Sequence, residues 1–282
     1  MKLAEIIPFV RYVHFLDIDK KRQFGKSTPF DHRLFYLLSG NGKIAIGERT
    51  LTLCEGDAVI IPSGTTYELL PTEKTVRYIG VNFDYTQENS EKAIPVSPVF
   101  SGKFEPQMRF EAIDFTDVQE LNTTLFLKGI NSISSKLLKM NREYGSKLLG
   151  FYNVTSGILA GIIVECVRRN RAVKFGKNEK TVTDIIEYVD KNFSSALTAE
   201  AVAAVFGLHP NYLSFLIKSY TGMPLHRYLM HVRVSRATSM LSSGEYTVGE
   251  VAQRCGFVDI YHFSKVFKRI AGVPPSKYSY IM

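Results

Sequence analysis

The chain repeats itself near its end. VAQRCGFVDIYHFSKVFKRIAGVPPSKY, Val251 to Tyr278, follows VAAVFGLHPNYLSFLIKSYTGMPLHRY, Val202 to Tyr228, about fifty residues later. Gly207 answers Gly256, Leu213-Ser214 answers Phe263-Ser264, Lys218 answers Lys268, Gly222 answers Gly272, Pro224 answers Pro274 and Tyr228 answers Tyr278. Self-similarity of this kind marks a duplicated structural unit. Each copy reads as helix, tight turn, helix, stop. In the second, Val251, Ala252 and Cys255 recur at helical spacing, Gly256 ends that helix, and Asp259 is placed to cap the next. From Ile260 to Ile270, Phe263, Val266, Phe267 and Ile270 form an apolar stripe, while Tyr261, His262, Lys265, Lys268 and Arg269 fall largely on the opposite side. One amphipathic basic helix is usually only a solvated surface helix. Two of them, each presented by a glycine turn, are a stronger constraint.

The 282 residues suffice for two domains, each with its own core, and 45% hydrophobic with 22% charged residues is an ordinary globular balance. A net charge of +8 favours a polyanionic partner or an anionic membrane surface over an acidic ligand. Cys54, Cys166 and Cys255 lie far apart and form no CxxC or Cys/His cluster, as expected of reduced, buried residues. The beginning of the chain, MKLAEIIPFVRYVHFLDIDKKR, lacks the apolar run and cleavage site of a signal peptide. The longest apolar stretch, Gly157 to Val167, is interrupted by Glu165 and stops at Arg168-Arg169. The expected location is the cytoplasm.

Short apolar runs separated by turn residues fill Leu34 to Phe83. The strand candidates are Leu34–Leu38, Lys43–Ile46, Thr50–Leu53, Ala58–Ile61, Thr66–Leu69 and Val76–Phe83, with a further return expected at Met108–Phe115. Their number and spacing predict a small antiparallel sandwich or barrel. Asp31 to Leu69 resembles the cupin barrel, with GDAVIIPSGTTYEL, Gly56 to Leu69, similar to that family's second motif. Where that motif usually has histidine this chain has Tyr67, and the carboxylate ligand of the first motif falls near Arg33. A cationic Arg33 would repel a metal ion, so no metal or other cofactor is expected. What the resemblance leaves is a barrel holding an organic effector. If Arg33 occupies the former carboxylate place, alternation puts Phe35 and Leu37 on its face, with Tyr67 across from them. Arg33 and Tyr67 would hydrogen-bond the effector and Phe35 would stack on it; core packing of the same residues is an equal alternative. Tyr12 and His14 are expected in an arm ahead of the barrel, able to close over its mouth.

Asn131–Tyr144 and Ser146–Arg169 read as two helices broken near Gly145, the second apolar over most of its surface. A dimer interface would cover it, and packing within the chain is the alternative. Arg168 to Lys180 is polar and basic and reads as a linker. The expected organisation is therefore an α+β two-domain chain: residues 1–120 an effector-sensing antiparallel β-barrel, 121–169 a helical dimerisation segment, 170–180 a linker, and 181–282 an all-α domain.

The last hundred residues resemble the AraC/XylS family of transcription regulators. GFVDIYHFSKVFKRIAGVPPSKY is similar to its G-F-x-x-x-x-Y-F-x-R-x-F-K-x-x-x-G-x-x-P-x-x-Y, with His262 where tyrosine is usual and Phe215 where the first unit often has arginine. The resemblance implies two helix-turn-helix units joined by a long helix and binding promoter DNA, which the apolar helix pair would bring together as a homodimer. It also implies response to a small-molecule effector, often a sugar, with activation through RNA polymerase more common than repression. By position Asn211, Ser214 and Phe215 in the first unit, and Tyr261 and Lys265 in the second, are expected to face bases, and Lys218, Lys268 and Arg269 to meet phosphates. Two other classes stay open. One is a small-molecule-binding cupin protein whose helical domain meets a protein; the other, with no ligand set or catalytic constellation in its favour, is a cupin enzyme.

Overall fold

In the computed structural model, residues 1–21, 25–92, 99–175 and 178–278 are described. They divide into two compact units, Met1–Asn170 and Arg171–Met282.

The first unit is built on two five-stranded antiparallel sheets. Its strands are β1 (Phe9–Ile18), β2 (Ser27–Thr28), β3 (His32–Ser39), β4 (Asn41–Ile46), β5 (Arg49–Cys54), β6 (Ala58–Ile61), β7 (Tyr67–Leu69), β8 (Val76–Asp84), β9 (Val99–Phe100) and β10 (Leu125–Leu127). One sheet runs β1-β8-β3-β6-β10 and the other β5-β4-β7-β2-β9. Because side chains alternate across a strand, the first sheet has two apolar faces. Phe35, Leu37, Val59, Ile61, Val76 and Tyr78 pack against Ile44, Leu53, Tyr67 and Leu69 of the other sheet. Leu34, Tyr36, Ile60, Ile79, Val81 and Phe83 pack instead against two helices, α1 (Ser134–Ser146) and α2 (Phe151–Phe175).

Several expectations need correction. Tyr12 and His14 are not in an arm: they belong to β1, which pairs with β8 from Phe9↔Asp84 to Ile18↔Val76 with one bulge between Val10 and Tyr12. The polar residues Arg11 and His14 hide this strand by breaking its apolar pattern. Met108–Phe115 forms no strand; the returning strand is β10, pairing with β6. The break between the helices is at Lys147–Gly150, where Lys147 (φ 52°) and Gly150 (φ 81°) are left-handed, so Leu148 and Leu149 lie in a turn outside either helix. Of the stretch read as a linker, residues through Phe175 are helical in α2, and Asn178 already begins α3.

By length and composition Phe151–Arg171 would suffice to cross a bilayer. Leu159, Ile162, Ile163, Cys166 and Val167 are nevertheless buried in the sheet's outer core, while Val154 and the Gly157-Gly161 side border an open groove with Lys136 and Lys139.

The second unit is helical: α3 (Asn178–Lys191), α4 (Ala199–Val205), α5 (Pro210–Thr221), α6 (Leu225–Ser243), α7 (Val248–Arg254), α8 (Ile260–Ala271) and α9 (Pro275–Tyr278). One core joins them, with Leu213 and Ile217 of α5, Leu229 and Val234 of α6, Val251 of α7 and Phe263 and Phe267 of α8 all buried.

Candidate DNA interface and barrel interior

The duplication seen in the sequence recurs bond for bond in the backbone. Leu208 N donates to Ala203 O (2.9 Å) as Phe257 N does to Ala252 O (3.0 Å), closing α4 and α7. Gly222 N donates to Lys218 O (2.9 Å) as Gly272 N does to Lys268 O (3.0 Å), closing α5 and α8. The second turn, Gly256 to Ile260, is one residue longer than the first, Gly207 to Pro210.

Capping fixes where each outer helix starts. Asp259 accepts from Tyr261 N (2.7 Å) and His262 N (3.1 Å), and His209 Nδ1 accepts from Asn211 N (3.3 Å). Thr198 caps α4 through Ala201 N (3.1 Å), while α7 carries a full capping box between Thr247 and Glu250. Arg233 of α6 donates to Phe193 O and Ser195 O, 2.8 Å each, which holds that strip of chain beside the second turn. Gly256 packs there: a Cβ on it would lie 2.3 Å from Ser194 O.

This scaffold leaves α5 and α8 each with one face in solvent. Leu213, Leu216 and Ile217 are buried under α5, so Asn211, Phe215 and Lys218 face outward, with Ser214 half-buried between them. Phe215 is 50% exposed. On α8, Phe263, Val266 and Phe267 are buried while Tyr261 (77% exposed), Lys265, Lys268 and Arg269 face out. All eight residues read as DNA contacts thus lie on, or at the edge of, the two outward faces. Tyr212 and Ile260 are exposed on the same helices and were not singled out from the sequence; their signal was helical spacing from the residues that were. Lys218, Lys265, Lys268 and Arg269 make no ion pair among the described residues, which leaves their charges available to a polyanion.

Residues 202–280 match the profile of a helix-turn-helix domain family. The C-terminal domain is of the AraC/XylS type. Among similar proteins, the Msm operon regulatory protein of Streptococcus mutans is 23% identical over 270 residues, 92% of this chain and 88% of its own length. The uncharacterized HTH-type transcriptional regulator YijO of Escherichia coli is 39% identical over 94 residues, and the HTH-type transcriptional activator RhaS of Salmonella schwarzengrund 34% over 92. The chain spans only 33% of the length of YijO and 33% of that of RhaS. Each of these two matches takes in about a third of the chain.

In the first unit, Arg33, Phe35 and Tyr67 come together between the sheets. The Phe35 and Tyr67 rings are 5.3 Å apart, and Arg33 Nε is 2.8 Å from Asp31 Oδ1, both buried. Burial pushes the Asp31 carboxyl above its ordinary range against the pull of the Arg33 charge, and burial likewise raises Tyr67, which stays a hydroxyl. Tyr12 lies two places along from Arg33 in the same row, across Asn82, and is 41% exposed. Its ring stacks on His14 (4.7 Å) and meets Tyr144 of α1 edge-on (6.1 Å). The His14 ring crosses Gly80, where a Cβ would come within 2.9 Å of it, and burial followed by the Arg33 charge lowers its pKa to about 4. Asp31, Asn82 and Gly80 were not singled out from the sequence. Asn82 was visible only as a polar break in the Val76–Phe83 run.

At the places of a cupin ligand set stand Tyr67 and Arg33, which offer a metal ion a phenol and a repelling charge. Among the described residues there is no group of three or more His, Cys, Asp or Glu side chains disposed around one point.

Proposed function

We propose that the protein is a transcription regulator whose AraC-type domain binds promoter DNA through α5 and α8, and whose first unit senses a small molecule. The observation that carries this reading is the pair of outward faces on a duplicated scaffold. An exposed helix presented by a tight turn fits the major groove, where its side chains reach base edges while neighbouring cations meet phosphates. Asn211, Ser214, Phe215, Tyr261 and Lys265 take the base role, and Lys218, Lys268 and Arg269 the phosphate role. Phe215, half in solvent, is suited to a thymine methyl.

The effector enters between the sheets against Arg33, Phe35, Tyr67 and Tyr12, and a sugar or related carbohydrate suits a site combining aromatic rings with polar groups. Two chains associate as a homodimer through α1 and α2, covering the exposed Val154 and the turn residues Leu148 and Leu149. The name of RhaS favours activation, in partnership with RNA polymerase, and such a regulator works in the cytoplasm.

The test is binding of the full chain to labelled fragments of its own promoter region, against random duplex, at several salt concentrations. Specific binding should exceed random binding and fall steeply with salt. Lys265→Ala should relax preference at one base step, costing about 1–3 kcal/mol. Equal binding to every duplex, or none, would remove the regulator reading.

A further inference from the structure

We infer that the polar end of the inward face of β1, β8 and β3 takes an uncharged ligand whose polar edge both donates and accepts hydrogen bonds, and that Asn82 reads that edge. This rests on the sensor reading above and narrows it.

Strand register sorts the inward face into rows. Tyr12, Asn82 and Arg33 stand directly across β1, β8 and β3 from one another, and the next row is His14, Gly80 and Phe35. Beyond it come Leu16, Tyr78 and Leu37, then Ile18 and Val76. The face is therefore polar at one end and apolar at the other, with the Phe35 and Tyr67 rings where the two meet.

Asn82 is wholly buried, and neither its Nδ2 nor its Oδ1 has a hydrogen-bond partner among the described residues. His14 Nδ1, in the next row of the same surface, also lacks one. Leaving an amide unsatisfied inside a protein costs more than replacing it with an apolar residue of the same shape. A strand that needed only packing at this point would be better served by leucine. The unfilled donor and acceptor are valences kept for something else, and the flanking glycine keeps the His14 ring over the same surface.

The charges decide what kind of molecule fits. Arg33 Nε already faces Asp31 Oδ1 at 2.8 Å, and Arg11 Nε donates to Asp84 Oδ2 at 2.7 Å. Each buried guanidinium thus has its own carboxylate. An acidic ligand would have to displace Asp31 or bring a second anion beside it, at the cost of unpaired buried charge. Among the described residues the carboxylates nearest this surface, Asp31 and Asp84, each already face an arginine, so a cation would have to share one of them. His14, with its pKa near 4, adds no charge at neutral pH. An uncharged head carrying hydroxyls or an amide fills both edges of Asn82 and leaves both ion pairs intact.

Matched probes test this on the full chain: galactose with galacturonate, glucose with glucuronate, and benzamide with benzoate, by thermal melting and titration calorimetry. At least one neutral member should raise the melting midpoint while its acid leaves it unchanged. Asn82→Leu should melt no lower than the wild type yet bind that probe about tenfold or more weakly. Should Asn82→Leu fail to fold, Asn82→Thr, which suits a strand and cannot satisfy both edges, is expected to show the same loss. Stabilisation by an acid and not by its neutral partner would overturn the inference and leave the sensor reading standing. Undiminished neutral binding in the Asn82 variants would overturn the assignment of Asn82. If no probe shifts the midpoint while Asn82→Leu melts higher, Asn82 holds buried water only and the inference falls. The sensor reading then falls separately only if promoter binding is also indifferent to metabolite extracts.

Discussion

Placing alanine at the two equivalent turn glycines should separate backbone strain from collision. Gly207 and Gly256 both have positive φ, 64° and 77°, so each alanine carries the left-handed penalty, about 1–2 kcal/mol. Around Gly207 nothing lies within 4 Å of the added methyl, and the penalty should end there. At Gly256 the methyl would stand 2.3, 2.7 and 2.8 Å from the O, C and Cα atoms of Ser194. Those are backbone atoms, and the carbonyls on either side of them are held by Arg233 at 2.8 Å. Moving Ser194 aside breaks at least one bond to a charged donor, about 1.5–3 kcal/mol. Gly256→Ala should therefore cost about 2.5–5 kcal/mol in all, a large part of the about 5–15 kcal/mol that holds a typical domain folded. Urea unfolding of the wild type and both variants, followed by far-ultraviolet circular dichroism, reads the helical unit. The midpoint should drop slightly for Gly207→Ala and severely for Gly256→Ala. Equal drops would refute the collision and with it the claim that Arg233 pins the strip.

His14 provides a pH test. Its folded pKa of about 4 lies below the unfolded value of 6.5, so between those values only the unfolded chain takes up the proton. Stability should fall as pH drops through that window, by at most about 3.4 kcal/mol. Asp84, raised to about 6 chiefly by burial, acts in the opposite sense over about pH 4 to 6. The informative quantity is thus the difference between wild type and His14→Gln, and a difference that does not change with pH rejects the assignment. Lys218→Ala should lower the salt slope of DNA binding by about one without altering base preference. A changed preference would move Lys218 among the base contacts. Leu149→Glu, on a side chain fully in solvent, should weaken self-association at least tenfold in sedimentation without lowering the melting point. An unchanged dimer would place the interface elsewhere. Asp259→Ala removes the cap of α8 and should cost about 1 kcal/mol, read from the same urea curves.

The AraC-type domain was legible because its rules are local. A glycine after a helix, a cap three residues later and a stripe of Phe263, Val266 and Phe267 all act within one or two turns, and the duplication states them twice. The strands of the first unit were legible where turn residues bracket them. β1 was not, because Arg11 and His14 interrupt its apolar pattern; both become acceptable only through Asp84 and Gly80 on a strand about seventy residues away. For the same reason Asn82 could be seen as an anomaly but not placed. Its meaning depends on which residues of β1 and β3 stand beside it, and register between distant strands is written in no single stretch. The linker misled differently: the ends of α2 and α3 fall in it, and a polar, basic composition does not tell a helix end from a tether.

The two outer helices of the AraC-type domain share one scaffold but not one surface. α5 begins at a histidine cap and shows Phe215; α8 begins one residue further along its turn, at an aspartate cap, and shows Lys265. The nineteen-residue α6 between them in sequence, about 28 Å from end to end, packs into the same core as both. A stretch of DNA read by such a domain has a left end and a right end. It has polarity even when one chain is bound, before any second copy arrives. Inverting that stretch in front of a gene would not restore the same instruction written backwards; it would turn the bound protein to face away from the start of transcription.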